Sequence, residues 1–276
     1  MNLEDFFISQ FHNKQIGDDG TLIKTNKHYI VYSKDAFFEN VHFKKEWMSY
    51  YQIAKKAMLV NISDAIAMNA TPKFALLSVA MPKNISKKEM QELAQGFKDI
   101  AQQFGIEIVG GDTISNIKLD ITITIVSFTK KPLQRVGLKQ NHLLAYTGTL
   151  GKSAKDLKTL FNKGKIHKKS KFVTIQLRKD FVSKTQRYLS SGMDISDGLF
   201  NDLEKLAKLN QVGFFIDNKI TKNIGCSGEE YEMLVSFDKR YLLAIKQRAK
   251  QTRTPLTIFA KSIRKKYRSQ CKKHHF

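Results

Sequence analysis

Met58-Leu59-Val60-Asn61-Ile62-Ser63-Asp64 is an apolar run that ends in an aspartate, and three other runs in the chain end in the same way. They span Tyr29 to Asp35, Ile106 to Asp112 (through a Gly-Gly pair) and Met193 to Asp197. Carboxylates at the ends of regular elements are positions from which a fold can gather metal ligands. One such aspartate is usually a turn or cap residue, so the prediction rests on four occurring together. Aspartates without histidine or cysteine suit a hard cation such as Mg²⁺.

The length and composition describe an ordinary globular protein. The chain has 276 residues, of which 42% are hydrophobic, enough for one large domain or two ordinary ones. No apolar stretch approaches the length of a membrane span, and the acidic start Met1 to Phe7 lacks the basic residues of a signal peptide. Two cysteines, Cys226 and Cys271, do not make a disulfide framework. We therefore expect a cytoplasmic protein without a membrane partner.

The net charge is strongly positive, at +22, with 47 Lys and Arg against 25 Asp and Glu. Such a balance indicates either an anionic partner, such as nucleic acid or a phosphorylated small molecule, or a solvated basic surface. The lysines are spread along the whole chain, which favours the solvated surface. The basic segment Lys261 to Arg268 is the exception, and it keeps a nucleic-acid-binding protein open as an alternative function.

The hydrophobic patterns predict a mixed α/β fold. Ser49 to Ala70 is a long amphipathic helix with Asp64 inside it, and Ser86 opens a second helix that Gly105 ends. Ile106 to Val109 is predicted as a buried strand. Leu119 to Phe128 alternates between apolar and polar residues, which is typical of an antiparallel or half-exposed sheet. The polar stretch from 130 to 141 is a plausible domain boundary.

Three short motifs have ordinary alternatives. Gly148 to Ser153 is similar to a phosphate-binding P-loop, but it has two residues instead of four between the first glycine and the Gly-Lys pair, which favours a simple strand-to-helix turn. Asp194 and Asp197 flank Ser196 before a helix, so they are either helix-capping residues or metal ligands with distant partners. The acidic stretch Cys226 to Glu232 is, by default, a solvated turn.

Taken together and in order, several segments resemble thiamine-monophosphate kinase, a family with the fold of aminoimidazole ribonucleotide synthetase and selenophosphate synthetase. They span about residues 16 to 237. The matching stretches are Ile16 to Asp19, Ser33 to Asp35 and on to Phe43, Lys56 to Met68, Val109 to Thr113, Arg135 to Gly137, Thr147 to Ser153, Met193 to Leu199 and Ser227 to Leu234. Each stretch is weak alone, but the ordered set is specific.

The resemblance implies an α/β (α+β) protein of two domains with mixed sheets. Residues 1–137 would form an N-terminal ATP- and metal-binding domain that mediates homodimerisation, and residues 138–276 a C-terminal α/β domain. The implied activity is ATP-dependent phosphorylation of thiamine monophosphate to thiamine diphosphate by direct in-line transfer with several Mg²⁺ ions. A phosphate nucleophile is already largely deprotonated at pH 7, so no general base is expected.

The resemblance also implies roles for individual residues. The metal ligands would be Asp19, Asp35, Asp64, Asp112, Asp194 and Asp197. ATP contacts would fall on Lys34, Gly111, Asp112, Arg135 and Ser196, although Lys34 stands where the family usually has threonine. His42 and Glu229 would lie near the thiamine substrate, and Tyr267 is the candidate for the aromatic ring that stacks on it.

Other enzymes of the same fold are the nearest alternatives. Selenophosphate synthetase would need a reactive cysteine or selenocysteine near the N-terminus, and this chain has none there. The hydrogenase-maturation relative would need a C-terminal cysteine, whereas Cys271 is close to the end but not last. The sequence therefore favours the thiamine-monophosphate kinase reaction among the activities of this fold.

Overall fold

The computed structural model describes residues 3–11, 13, 15–216 and 220–272. The helices are α1 (Leu3–Ser9), α2 (Tyr50–Ala67), α3 (Lys87–Phe104), α4 (Lys152–Phe161), α5 (Lys179–Thr185), α6 (Leu199–Asn210), α7 (Lys222–Gly225) and α8 (Leu242–Gln251). The strands are β1 (Thr21–Lys24), β2 (Tyr29–Phe38), β3 (Thr71–Pro82), β4 (Glu107–Asn116), β5 (Asp120–Thr129), β6 (Leu143–Thr147), β7 (Ser191–Asp194), β8 (Gly213–Ile216), β9 (Met233–Phe237) and β10 (Leu256–Ile263). Among the described helices, none combines the length and apolar character that a membrane span requires.

The first sheet contains five strands in the order β1-β2-β5-β3-β4. It is mixed, because β3 and β4 run parallel while the other neighbours run antiparallel. The predicted alternation of β5 is confirmed: Ile121, Ile123 and Ile125 are fully buried, and the residues between them are only partly covered. One face of the sheet therefore packs against helices, and the other is left open in the single chain.

Helix α2 is the central element of the fold. Ser49 begins it with a capping box, in which its side chain accepts from the backbone of Gln52 and Gln52 accepts from the backbone of Ser49. Most of its residues are buried, because it packs against β2 and β5 on one side and touches β7 and α5 on the other. The predicted helix with Asp64 inside it is confirmed, and so are the Ser86 capping box and the Gly105 C-cap of α3.

Strand β4 differs from its prediction. The segment Ile106 to Val109 was expected to be a buried strand, but every residue of β4 except the last is exposed. The reason is its place at the edge of the sheet, where β3 is its one neighbour among the described strands. Gly111 has a φ of 146°, and a Cβ there would meet the carbonyl oxygen of Leu77, so the strand requires glycine at this position.

The second sheet has the order β7-β9-β6-β10-β8 and is antiparallel throughout. The predicted boundary segment, residues 130–141, joins the two sheets. The core does not divide there, since one cluster of buried residues includes Ile62 of α2, Ile121 of the first sheet and Val235 of the second. The division into domains at 137 and 138 stays a prediction.

The glycine-rich segment 148–153 is a strand-to-helix turn, as its spacing favoured. Gly151 precedes α4 with a φ of 89°. The carboxylate of Glu230 accepts from the backbone N–H of Gly151 at 2.8 Å, so the protein's own acid lies at the position a phosphate would take.

The expectation of a solvated acidic turn at 226–232 is wrong. Glu230 and Glu232 are buried because Lys171 and Arg178 neutralise them.

The two cysteines are joined. A disulfide links Cys226 to Cys271 across 45 residues, so cysteine usage does not support a reducing compartment. The segment 264–272, here called the C-terminal strap, also packs along α6. Tyr267 meets Phe214 edge to face, and Ser269 donates to Asn201 at 2.6 Å.

Candidate functional site

A cavity of about 550 Å³ lies between the two halves of the chain. Its walls come from β2, α2, the segments that contain residues 18–19 and 135, the end of β7, α4 and the loop before β9. Ten of the residues with predicted site roles line it: Asp19, Lys34, Asp35, His42, Asp64, Arg135, Asp194, Ser196, Asp197 and Glu229. The fold therefore gathers most of the predicted site residues around one volume.

Three carboxylates converge at one end of the cavity. Oxygen atoms of Asp19, Asp64 and Asp194 all lie within 4.8 Å of one another. They come from the segment before β1, from the middle of α2 and from the end of β7. This separation in sequence is typical of a site that only the folded chain can assemble.

The charges of these carboxylates are poorly compensated in the protein alone. Burial raises the pKa of Asp64 well above its usual value, and the nearby Asp35 and Asp194 raise it further. Burial and the charge of Asp19 raise the pKa of Asp194 to about 8, against the hydrogen bond from Ser63, which lowers it. Raised pKa values in a cluster of buried acids are typical of a functional site, because neighbouring negative charges and burial disfavour ionisation.

Arg135 supplies one cation to this cluster. Its guanidinium donates from Nε to Oδ1 of Asp19 at 3.1 Å, and Nη2 donates to the same oxygen. Burial alone would lower the pKa of Arg135, but Asp19, Asp194 and Asp18 raise it overall, so it stays charged. The second oxygen of Asp19, Oδ2, is buried and accepts no hydrogen bond from the described residues. This oxygen is therefore available to a metal ion.

Three further aspartates stand on the cavity wall. Asp35 is held by its backbone N–H, which donates to Asn61 Oδ1 at 2.8 Å, and Asp197 is 2.7 Å from the ammonium of Lys205. Asp18 was not predicted as a site residue, and its carboxylate accepts from the backbone N–H of Arg135. Its pKa is raised by burial and by Asp19. The sequence signal that could have identified Asp18 was its position directly before Asp19, a predicted metal ligand.

Gly111 and Asp112 do not line this cavity. Asp112 on β4 pairs with Ser78, Ser78 with Thr122, and Thr122 with Ala36, which does line the cavity. Asp112 is therefore three strand spacings, about 14 Å, from Ala36 in the same chain. The shared register puts both residues on the open face of the first sheet. Their predicted roles in ATP and metal binding remain predictions.

The end of the cavity away from the carboxylates is aromatic. Trp47, Phe161 and Phe172 line it, and the Trp47 ring meets the other two edge to face at 5.2 and 5.9 Å. His42 also lines the cavity, with Nδ1 accepting from the backbone N–H of Phe38 at 3.0 Å, and its role near the thiamine substrate stays a prediction. Tyr267, the candidate stacking ring, packs instead on Phe214 in the second core, so it is not among the cavity residues.

Sequence reasoning missed this aromatic wall and the buried Lys56 behind it. The available signal for Lys56 was its spacing. Lys56, Val60 and Asp64 are four residues apart, so they share one face of α2, and a lysine on a buried helix face needs a partner. The single tryptophan of the chain was the available signal for the wall.

The donor set at the carboxylate end fits Mg²⁺. Hard cations prefer oxygen ligands, and here three carboxylates lie close together. The pKa values of Asp64 and Asp194 are raised, and Asp19 has a buried oxygen that accepts no hydrogen bond from the described residues. The adjacent cavity is large enough for a small-molecule ligand. The arrangement can therefore hold anionic substrates against divalent cations.

Comparisons with known proteins agree with this picture. The family "AIR synthase related protein, N-terminal domain" matches residues 17–129. A thiamine-monophosphate kinase of Buchnera aphidicola subsp. Schizaphis graminum is 31% identical over 255 residues, which cover 82% of this chain and 77% of the relative. One from Leptospira interrogans is 30% identical over 210 residues, which cover 71% and 68%.

Among solved structures, AaThiL complexed with AMPPCP and TMP has a TM-score of 0.84 at 24% identity. The match covers 96% of this chain and 91% of that one, so the two proteins share their fold. The predicted aminoimidazole ribonucleotide synthetase-like fold is thereby confirmed. From the identity and coverage of its relatives, this chain belongs to the thiamine-monophosphate kinase family.

Proposed function

We propose that this protein transfers the γ-phosphoryl group of ATP to thiamine monophosphate and so forms thiamine diphosphate. The observation that carries the proposal is the convergence of Asp19, Asp64 and Asp194 at one end of a cavity, in a chain of the thiamine-monophosphate kinase family. AaThiL, a protein of the same fold, has been solved with AMPPCP and TMP together, which supports a site for two phosphorylated molecules.

Asp19, Asp64 and Asp194 would hold Mg²⁺, and Asp35 and Asp197 stand on the wall where further ions would bind. Mg²⁺, when bound, neutralises the negative charge of the triphosphate and of the group in transfer. Arg135 holds Oδ1 of Asp19, which leaves Oδ2 for the metal. Ser63 orients Asp194 through a hydrogen bond of 2.6 Å.

The residues of the chain then have a positioning role. The attacking phosphate oxygen is largely deprotonated at pH 7, because the second pKa of a phosphate monoester is about 6. No general base is required, and catalysis consists of holding two anions in line within a charge-balanced cavity. Lys34, Arg135 and Ser196 would contact ATP, and His42 and Glu229 the thiamine side. All five line the cavity.

We also propose that the protein forms a homodimer through the open face of the first sheet. That face exposes Tyr32, Phe74, Leu76 and Ile114, and Asp112 lies among them. A sheet face with large apolar side chains is typical of an interaction surface. A second copy on this face would place Gly111 and Asp112 near a cavity that they do not reach within their own chain.

The direct test is to incubate purified protein with ATP, MgCl₂ and thiamine monophosphate, and to follow thiamine diphosphate by chromatography. Product that depends on all three components supports the proposal. ATP hydrolysis without thiamine diphosphate, or phosphorylation of thiamine itself in preference to its monophosphate, contradicts it.

The dimer proposal has a separate test. Asp64→Ala and Asp112→Ala variants are each expected to be inactive alone. If residues of two copies complete one site, co-refolded mixtures of the two variants regain up to about a quarter of the wild-type activity, because a mixed dimer keeps one intact site. A mixture that stays inactive, or a monomer in sedimentation, rejects the dimer role of Asp112.

A further inference from the structure

Lys56 is a fully buried lysine that the proposed chemistry leaves without a role. Its side chain is 0% exposed and lies on the face of α2 that also carries Val60 and Asp64. Asp64 follows Lys56 by eight positions, so the two are about 12 Å apart along the helix. Helix α2 therefore runs the length of the cavity, with the carboxylate cluster near Asp64 and the aromatic end near Lys56.

The surroundings of Lys56 bring one acid and two aromatic rings together. Its ammonium is 2.5 Å from Oε2 of Glu229, and it stands 3.7 Å from the ring centre of Phe172 and 5.6 Å from that of Phe37. Among the described residues, Glu229 is the one carboxylate paired with Lys56. A buried ammonium without a partner is strongly unfavourable, so each group constrains the position of the other.

Glu229 is also constrained through its backbone. Its φ is 56°, a left-handed conformation that non-glycine residues seldom adopt, and its N–H donates to the carbonyl of Ser196 at 2.7 Å. Strained backbone of this kind persists where the surrounding structure enforces it. The main chain fixes one end of Glu229 and Lys56 fixes the other, so its carboxylate has a defined orientation on the cavity wall.

The neighbouring wall suits a flat cationic ring. Trp47, Phe161 and Phe172 present aromatic surface to the same end of the cavity that Glu229 lines. Aromatic faces attract cations, and a carboxylate nearby adds a counter-charge and hydrogen-bond acceptors. Lys56 contacts both components, since it pairs with Glu229 and stands over Phe172.

We propose that Lys56 is a positioning residue for the organic part of the substrate. Its ammonium holds the Glu229 carboxylate beside the Phe172 ring, so that the aromatic end of the cavity recognises a flat heteroaromatic cation while Asp64 and its neighbours hold the phosphates. The inference rests on the proposed function, in which that cation is the thiamine portion of thiamine monophosphate.

Steady-state kinetics test this role. Lys56→Met should raise the KM for thiamine monophosphate about tenfold or more and leave the KM for ATP within about twofold, because the lost interaction serves only one substrate. Lys56→Arg keeps the cation and should recover part of the loss. Lys55→Met is the matched control, since the neighbouring Lys55 contacts Tyr51 on another face of α2, and it should behave like wild type.

A double variant shows whether Lys56 acts through Glu229. Glu229→Gln alone leaves the buried Lys56 ammonium without its charged partner, and Lys56→Met alone leaves the partly exposed Glu229 carboxylate without its cation, whereas the double variant carries neither charge. If Lys56 acts only through Glu229, the KM of the double variant for thiamine monophosphate equals that of the worse single variant. Effects that multiply, or equal effects on the KM for ATP, overturn the proposal.

Trp47, the only tryptophan of the chain, provides a readout without turnover. Titration of thiamine monophosphate should quench its fluorescence, with the midpoint for Lys56→Met shifted at least about tenfold upward. A wild-type enzyme that makes thiamine diphosphate while Lys56→Met titrates normally overturns this inference alone. A wild-type protein that neither turns over nor titrates overturns the proposed function and the inference with it.

Discussion

The hydroxyl of Ser63 donates a 2.6 Å hydrogen bond to Oδ2 of Asp194, and this contact joins helix α2 to the end of strand β7, 131 residues later in the chain. Both groups are buried. The bond stabilises the charged form of a carboxylate whose pKa burial raises. The hydrogen bond therefore forms only when α2 and β7 are packed together, and it favours the ionised form of Asp194 that binds a cation.

Removing this hydroxyl should weaken metal binding more than folding. In Ser63→Ala the pKa of Asp194 rises further, so more Mg²⁺ is needed to displace its proton at pH 7. We expect the Mg²⁺ concentration for half-maximal activity to increase about three- to tenfold, from a lost bond of ~1 kcal/mol. Ser191→Ala is the control: Ser191 lies on β7, the strand of Asp194, and the change removes its buried hydrogen bond with Ser236 of β9, so the Mg²⁺ requirement should stay unchanged.

Stabilisation by Mg²⁺ should increase with pH. The pKa of Asp194 is about 8 in the folded protein and 3.8 in the usual reference state, so the folded chain binds this proton more tightly than the unfolded chain. Across that window the metal-free protein loses stability as pH rises, because the carboxylate must ionise in a buried site. Bound Mg²⁺ offsets the free-energy cost of ionising Asp194, and this cost is largest near and above the pKa of that group, where it has lost its proton.

The measurement is a thermal melt with and without MgCl₂ at pH 6 and pH 8. The rise in Tm caused by Mg²⁺ should be larger at pH 8. Potassium chloride at matched ionic strength is the control, and it should leave the difference in Tm between pH 6 and pH 8 the same as without added salt. A Mg²⁺ shift that is equal at both pH values, or larger at pH 6, contradicts the assignment of the cluster.

Asp64→Asn should separate stability from activity. Burial and neighbouring acids disfavour the charge of Asp64 in the metal-free protein, so a neutral amide of similar shape should raise the metal-free Tm by at least about 2 °C, the shift that ~1 kcal/mol produces in a chain of this size. The same change should abolish thiamine diphosphate formation and the stabilisation by Mg²⁺. A variant that is less stable and equally responsive to Mg²⁺ would place the metal elsewhere.

The Cys226–Cys271 bond should stabilise the fold and retain the C-terminal strap. Closing a loop across a 45-residue separation removes chain entropy worth at most about 4 kcal/mol from the unfolded state. Cys271→Ser should therefore lower the urea midpoint and expose the strap to proteolysis after its lysines and arginines. Dithiothreitol should reproduce both effects in wild type and add nothing in the variant. Identical midpoints for oxidised and reduced protein would show that the bond contributes no stability.

Local features were predictable where the physics is local. The capping boxes at Ser49 and Ser86, the C-cap at Gly105 and the alternation of β5 depend on residues close together in the chain. The strand predicted at Ile106 to Val109 overlaps only the start of β4, which continues to Asn116, and its predicted burial was wrong. An apolar run carries the same signal whether its sheet position is central or at an edge, and only the order of the strands decides that.

The site divides in the same way. Residues that close an element, such as Asp64 and Asp194, could be recognised from the runs before them, and the ordered motifs pointed to the family. Trp47, Phe172 and Lys56 could not be recognised as a group, because their contacts depend on how α2 packs against a loop more than one hundred residues away. The position of Tyr267 in the second core was equally invisible.

The sequence alone determined which residues carry charge, which segments become helices or strands, and which family the order of motifs indicates, since these depend on composition and short-range periodicity. Tertiary structure decided that oxygen atoms of three carboxylates far apart in sequence lie within 4.8 Å of one another, that Asp112 lies away from them, and that Lys56 pairs with Glu229. The reason is that such distances are set by packing of whole elements against one core, which no local pattern encodes.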